Sequence, residues 1–196
     1  MTLPLLKISE LCCRRDGREL FAALSFVLEA GECVELIGPN GSGKSTLLRC
    51  VAGLYLDYEG EIEAATHLYA GHKLGLSSLL TAQENLQWYS HIAGGGGVAG
   101  TPGEALSRVG MAGYEDVACR NMSAGQQRRV ALARMLVGGR KLWLLDEPLT
   151  ALDADGRRLV MELMAEQLTI GGAVLCATHQ AVGVPGTRQL KLGRQS

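Results

Sequence analysis

The 196-residue chain has the composition of a folded protein with almost no net charge. Hydrophobic residues make up 47% and charged residues 20% of it, a balance that excludes an intrinsically disordered protein. The formal net charge of −1 argues against a nucleic-acid partner. No apolar run approaches the roughly 18 residues that a membrane span requires, so any role at a membrane must come through a partner.

The cysteines and the N-terminal residues indicate the cellular compartment of the protein. The six cysteines form neither a CxxC pair nor a zinc-type pattern with histidine, so they are expected to be free, buried thiols. The first residues lack the basic and long apolar regions of a signal peptide. The chain is therefore predicted to be cytosolic.

A phosphate-binding loop is predicted after an N-terminal antiparallel strand region at about residues 3–31. The apolar residues 34–37 predict a buried strand, and GPNGSGKS then matches the pattern G-x-x-x-x-G-K-[ST]. In such a loop Lys44 reaches the β and γ phosphates, and the Ser45 hydroxyl binds Mg²⁺. The predicted nucleotide contacts are Gly38, Pro39, Asn40, Gly41, Ser42, Gly43, Lys44, Ser45 and Thr46.

An amphipathic helix is predicted within SSLLTAQENLQWYSHI, residues 77–92. Trp88 and Tyr89 lie near its middle. They either pack inside a helical lobe or contact a partner, and the sequence leaves both interpretations open.

A second anion-binding corner is predicted at NMSAGQQRRVALAR. Ser123 stands where an N-cap would be, ahead of a helix expected over residues 126–137. Ser123, Gly125 and Gln126 would offer donors at the positive helix end. Lys44 already holds the phosphates of its own site, so this corner is expected to serve the ATP of a second copy, which predicts a dimer with ATP between its subunits.

Two further predicted strands bring acidic and histidine side chains to the same edge. The apolar run in KLWLLDEP ends at Asp146, expected to bind Mg²⁺, and at Glu147, expected to polarise the attacking water. The strand in AVLCATHQ delivers His179, expected to contact the γ-phosphate.

Together these motifs resemble those of ATP-binding-cassette (ABC) ATPases. GPNGSGKS is similar to Walker A, LWLLDE to Walker B, MSAGQ to the signature usually seen as LSGGQ, and TALD to the D-loop. The resemblance implies a P-loop NTPase of the α/β class, with a parallel core sheet, the N-terminal antiparallel β region and an inserted helical lobe. The whole chain would be one ATPase domain, with its core at about 1–72 and 136–196 and its lobe at about 73–135.

Two positions depart from the usual pattern of that family. His72 stands where the switch loop normally carries a glutamine that contacts Mg²⁺ and the attacking water. Arg15 falls near the position of the aromatic side chain that stacks on adenine, and arginine can also stack on a purine. Both are candidate site residues.

Within the family, the wording AGHKLG, TAQENL and SAGQQRR is similar to ATP-binding subunits of cytochrome c maturation transporters. This resemblance implies integral membrane partner subunits at the cytoplasmic face of the inner membrane. It also implies transfer or release of haem from a haem chaperone within the complex. The open alternative is a soluble ABC-type ATPase that acts as a nucleotide-gated clamp or regulator without a transporter.

Overall fold

The computed structural model of the protein describes residues 3–92, 100–150 and 152–193. The chain forms two compact units. The first comprises Met1–Ala70, Lys141–Ala151 and Met161–Ser196, and the second comprises Gly71–Arg140 and Leu152–Val160. The helical lobe at about 73–135 is a prediction from the sequence, and these two units do not test its bounds.

The first unit contains a three-stranded antiparallel sheet in the order β2-β1-β4. Its strands are β1 (Leu6–Arg15), β2 (Arg18–Leu28) and β4 (Glu59–Ala64). The pairing of β1 with β2 confirms the predicted antiparallel region, whereas β4 was not predicted. The sequence does not predict strand β4 because three of its six residues are glutamates and only one, a half-buried isoleucine, is a large apolar residue. The alternation of apolar and polar residues is therefore too weak to indicate a strand.

The first unit also contains a five-stranded sheet in the order β5-β6-β7-β3-β8, in which every neighbouring pair is parallel. Its strands are β3 (Cys33–Ile37), β5 (His67–Ala70), β6 (Leu142–Asp146), β7 (Ala173–Ala177) and β8 (Arg188–Lys191). Strands β6 and β7 are buried at every position, as expected for apolar strands covered on both faces. This sheet confirms the predicted α/β class with a parallel core.

Helix α1 (Lys44–Val51) follows β3 and packs on the core of the first unit. Its buried Leu47 and Leu48 belong to the same apolar cluster as Leu36 of β3 and Leu144 of β6. Burial of each leucine contributes about 1.5–3 kcal/mol to stability. The helix that begins at the phosphate-binding loop is therefore fixed against the two strands that lead into the site.

The second unit is helical. It contains α2 (Ala82–Ile92), α3 (Pro102–Arg108), α4 (Ala124–Val137) and the start of α5 (Ala154–Thr169), which continues in the first unit. Helix α4 begins two residues before the predicted start, with Ser123 as its N-cap as predicted. In the described part of the chain, no helix is both long and apolar enough to cross a bilayer.

Candidate nucleotide-binding site

The loop between β3 and α1 has a backbone that only glycine allows at two positions. Gly38 has a φ of 151°, and a Cβ there would lie against the Leu192 carbonyl oxygen and 2.7 Å from Ser42 Oγ. Gly43 has a φ of 96°, and its Cβ would lie 3.1 Å from the Phe21 ring. The absence of side chains lets the loop lie against Leu192, which follows β8, and against Phe21 of β2.

Lys44 is held across this loop by two carbonyl groups. Its Nζ donates to Gly38 O at 2.7 Å and to Pro39 O at 3.2 Å, and only 7% of the residue is exposed. An ammonium group has three donors, so one remains to meet a phosphate oxygen. The hydroxyl of Ser42 is also buried in the loop, and within the described residues it has no hydrogen-bond partner. The loop thus presents a held cation and an unsatisfied polar atom in one place.

The start of α1 is joined to the end of β6 by a hydrogen bond. Ser45 Oγ donates to Asp146 Oδ1 at 2.8 Å, although the two residues are far apart in sequence. Asp146 is 7% exposed, so this carboxylate is close to fully buried. The pair offers a hydroxyl and a carboxylate oxygen side by side, the donor type that Mg²⁺ prefers.

Glu147 has a left-handed backbone, with a φ of 56°, which is uncommon for a residue other than glycine. Its backbone N–H donates to Ala177 O at 2.8 Å, and the Thr150 hydroxyl donates to its Oε2 at 3.2 Å. A backbone of this kind costs about 1–3 kcal/mol and persists only where the surroundings fix it. The two hydrogen bonds supply that constraint and set the direction of the carboxylate.

His179 lies beside Glu147, two residues beyond the end of β7. Its Nε2 is 3.4 Å from Glu147 Oε1. The Thr178 hydroxyl donates to Gln180 O at 2.6 Å and accepts from Gln180 N at 3.1 Å, which closes a tight turn around His179. The carboxylate and the imidazole therefore belong to one constellation.

One cavity of about 370 Å³ collects most of these groups. It is lined by Arg15, Leu20, Asn40, Gly41, Ser42, Gly43, Lys44, Ser45, Thr46, Glu147 and His179. Gly38, Pro39 and Asp146 are not part of its wall, and they contribute through their hydrogen bonds to Lys44 and Ser45. All of these residues belong to the first unit.

The Ser123 corner belongs to the second unit and forms a capping box. Ser123 Oγ accepts from Gln126 N at 3.2 Å, and Gln126 Oε1 accepts from Ser123 N at 2.9 Å. The predicted donor at Gln126 N is therefore engaged within the corner itself. The N–H groups of Ala124 and Gly125, in the first turn of α4, have no intrahelical acceptor, and the Ser123 hydroxyl can still donate; all three residues are exposed.

Comparisons with known proteins agree with this geometry. The sequence profile described as "ABC transporter" matches residues 21–150. The chain belongs to the ABC transporter family. Curated relatives named "Cytochrome c biogenesis ATP-binding export protein CcmA" include one from Saccharophagus degradans, 43% identical over 94% of this chain and 91% of the relative. The one from Pseudomonas syringae pv. syringae is 42% identical over 98% of this chain and 97% of the relative.

A solved structure confirms the fold. It is described as the ATP binding subunit of an ABC transporter, has a TM-score of 0.84 and 22% sequence identity, and covers 96% of this chain and 85% of its own. Family membership makes this chain an ATP-binding ATPase. The first-unit cavity is accordingly the candidate ATP site.

The remaining ABC motif positions are His72, which belongs to the second unit, and the D-loop, whose Thr150 belongs to the first unit and whose Asp153 belongs to the second. His72 is exposed in the irregular segment between β5 and α2. Of the D-loop, Asp153 accepts from Gly156 N at 2.7 Å and so caps the start of α5, while Ala151 lies outside the described residues.

Several contacts of the ABC motifs were not predicted. Thr150 was read only as part of the D-loop, yet its hydroxyl directs Glu147. Arg129 donates to Val109 O at 3.0 Å, which ties α4 to the end of α3. In α2, Trp88 is 56% exposed, whereas the neighbouring Tyr89 is half-buried under the Arg134 guanidinium. The Arg129 and Arg134 contacts join residues distant in sequence, and no motif spacing signals any of the three.

Proposed function

We propose that this chain is the ATP-hydrolysing subunit of an ABC export complex that acts in cytochrome c biogenesis. The observation that carries the proposal is the single cavity in which Lys44, Ser45, Glu147 and His179 meet. The similarity to cytochrome c biogenesis export proteins over more than nine-tenths of the chain supports the choice of process.

The phosphates of ATP would be bound by the loop amides and Lys44. The glycine loop turns N–H groups inward at the N-terminus of α1, where the helix dipole also favours negative charge. Lys44, already close to fully buried, adds a positive charge whose interaction is little screened by solvent. Arg15, which also lines the cavity, would stack on the base.

Mg²⁺ fits the donor set at the end of β6. The Ser45 hydroxyl and the Asp146 carboxylate would hold the ion, with phosphate oxygens and water completing its shell. The ion would neutralise charge that develops on the phosphates during transfer.

Glu147 is the proposed general base. Its carboxylate accepts a proton from water as the water oxygen attacks the γ-phosphorus, and the bond from that phosphorus to the bridging oxygen of ADP breaks. The products are ADP and inorganic phosphate. His179, whose Nε2 is 3.4 Å from Glu147 Oε1, would donate to a γ-phosphate oxygen and hold the carboxylate in position.

A second copy of the chain would complete the site. The donors left at the Ser123 corner point out of α4 at an exposed surface, which suits contact with the γ-phosphate of ATP bound to the other subunit. ATP then stabilises the closed dimer because these contacts form only when the subunits meet. His72 of the switch segment would contact the attacking water or the ion shell.

The partners would be integral membrane subunits, with this chain bound peripherally at the cytoplasmic face of the inner membrane. The exported or released group would be haem, handled by a haem chaperone within the complex. The test is affinity capture of the tagged chain from detergent-solubilised native membranes, with an absorption spectrum of the recovered complex. Polytopic subunits with a haem band support the proposal, and a complex of soluble proteins alone contradicts it.

Glu147→Gln tests the catalytic step. The amide keeps the shape of the side chain but cannot accept the proton, so ATP hydrolysis should fall at least about 100-fold. Binding contacts remain, so the variant should accumulate as an ATP-bound dimer in size-exclusion chromatography. Turnover at the wild-type rate would remove Glu147 from the role of base.

A further inference from the structure

Two side chains of the second unit hold the backbone of the segment that carries His72. The Arg134 Nη1 group of α4 donates to Leu74 O, and the Tyr89 hydroxyl of α2 donates to Gly75 O. The Arg134 guanidinium also stacks over the Tyr89 ring, with Cζ 3.9 Å from the ring centroid. Two successive carbonyl groups, two and three residues after His72, are thus bound by one stacked pair.

Arg134 is an unusual residue to find in this position. It is 8% exposed, and burial lowers the pKa of its guanidinium from the ordinary value. Within the described residues, no carboxylate is paired with it and its Nε has no hydrogen-bond partner. The face of the Tyr89 ring and the Leu74 carbonyl are what stabilise the charge. A buried cation costs stability unless it is compensated, so this arrangement requires the Leu74 carbonyl to stay where it is.

Gly75 shows how closely the segment fits against the pair. Its φ is 66°, and a Cβ there would lie 2.9 Å from the Tyr89 hydroxyl oxygen and would also meet the Arg134 guanidinium. The backbone can reach both side chains only because this residue has no side chain.

We propose that Arg134 and Tyr89 are positioning residues that fix the segment carrying His72 for its part in ATP turnover. By binding the carbonyl groups of Leu74 and Gly75, the pair limits the positions that the His72 backbone can occupy. The inference rests on the proposed role of His72 in hydrolysis. It assigns a function to two side chains that do not line the candidate ATP cavity.

The test is a double-mutant cycle in the purified chain, with kcat and KM for ATP measured for each variant. Tyr89→Phe removes one hydroxyl and keeps the ring beneath Arg134. It should lower kcat about 5-fold, the loss expected for one positioning hydrogen bond, with KM little changed. Tyr114→Phe removes the hydroxyl of another tyrosine of the same unit and should leave kcat unchanged.

The double variant His72→Ala/Tyr89→Phe separates positioning from general packing. If Tyr89 acts through His72, the double variant should have the kcat of His72→Ala alone. An equal fold-loss from Tyr89→Phe in both backgrounds would overturn the inference, as would a Tyr89→Phe variant with wild-type kcat. Wild-type kcat in His72→Ala would instead show that the role of His72 is wrong, and the inference would fall with it.

Arg134→Lys tests separately whether Arg134 positions the segment that carries His72. Lysine keeps the charge and loses the planar group that stacks on Tyr89 while reaching Leu74 O. Positioning is supported if Arg134→Lys lowers kcat at unchanged KM and if this loss does not add to the loss caused by His72→Ala. A loss that adds fully to that of His72→Ala contradicts it.

Discussion

The loop before α1 and the corner before α4 are both helix N-termini, yet they are stabilised in different ways. Helix α4 has an N-cap serine whose capping box is complete within four residues. Helix α1 begins at Gly43, which has no side-chain cap. Its loop is fixed instead by distant parts of the chain, through Asp146 at the end of β6 and the close approach of Phe21.

The difference shows how a helix end can be made available to a ligand. A capping box satisfies two N–H groups internally, here those of Ser123 and Gln126, and leaves fewer donors for an anion. Gly43 satisfies none with a side chain, so the N–H groups of Lys44, Ser45 and Thr46, which precede the first intrahelical bond from Leu47 N to Gly43 O, remain for phosphate. We therefore expect the first-unit loop to bind nucleotide by itself and the Ser123 corner only to add to that binding, and changes to the loop should have the larger effects.

Lys44→Met should have the largest effect. The change removes the buried positive charge and leaves a side chain of similar length, so ATP hydrolysis should fall at least about 100-fold. Nucleotide binding, followed by the fluorescence of a labelled ATP, should weaken in parallel. Lys73→Met, at an exposed lysine of the second unit, is the matched control and should bind normally. Equal losses in both variants would mean that overall charge, not the loop, is responsible.

Glu35→Leu should measure how much a distant contact of β3, the strand that leads into the loop, contributes to the stability of the fold. Glu35 of β3 is 3% exposed, its Oε1 accepts from Val182 N at 2.6 Å, and its Oε2 accepts from Gln189 Nε2 at 3.1 Å. Leucine leaves the buried Val182 N–H unpaired, which should lower the free energy of unfolding by about 1–3 kcal/mol. Urea denaturation measures the loss. Glu35→Gln retains an acceptor and should lose less, and an equal loss would contradict this reason.

Motifs with fixed spacing made the two helix ends predictable from sequence. Lys44, Ser45 and Ser123 were assigned because their partners lie within a few residues or in a recognisable pattern. Glu35 and the stack of Tyr89 with Arg134 were not assigned, because each depends on a residue that the fold brings near. Thr150 was assigned only to the D-loop, because nothing in the motif signals that its hydroxyl donates to Glu147, three residues before it. Strand β4 was missed for a different reason, since its sequence is largely glutamate and its pairing with β1 supplies the order.

Ser123→Ala should have an intermediate effect at the other helix end. The change removes the N-cap, which should cost about 1 kcal/mol of stability, and it removes a hydroxyl donor from the corner. Under the dimer proposal, kcat should fall about 10-fold, while ATP binding to the isolated chain stays unchanged.

Thr101→Ala is the matched control because Thr101 and Glu104 form the same capping box at the start of α3. It should lower stability by a similar amount and leave kcat intact. An equal loss of kcat in both variants would mean that Ser123→Ala acts by weakening the helix and not by removing a donor to ATP.

Arg15→Ala should have the smallest effect of the four. Arg15 lines the cavity, 56% of its side chain is exposed, and its Nε lies 3.6 Å from Asp16 Oδ2. Stacking at an exposed site contributes about 0.5–1 kcal/mol, so labelled ATP should bind about 2- to 5-fold more weakly. Arg15→Tyr should restore the affinity if stacking is the cause, because a neutral ring also offers a flat face.

Arg14→Ala separates stacking from long-range attraction. Arg14 is a neighbouring cation, 79% exposed, that pairs with Glu19 and does not line the cavity. If both alanine variants weaken binding equally and Arg15→Tyr fails to restore it, the positive charge of this strand end attracts the triphosphate and no base is stacked. If only Arg15→Ala weakens binding and tyrosine restores it, the loop holds the phosphates while Arg15 holds the base, and the first unit accounts for nucleotide recognition by itself.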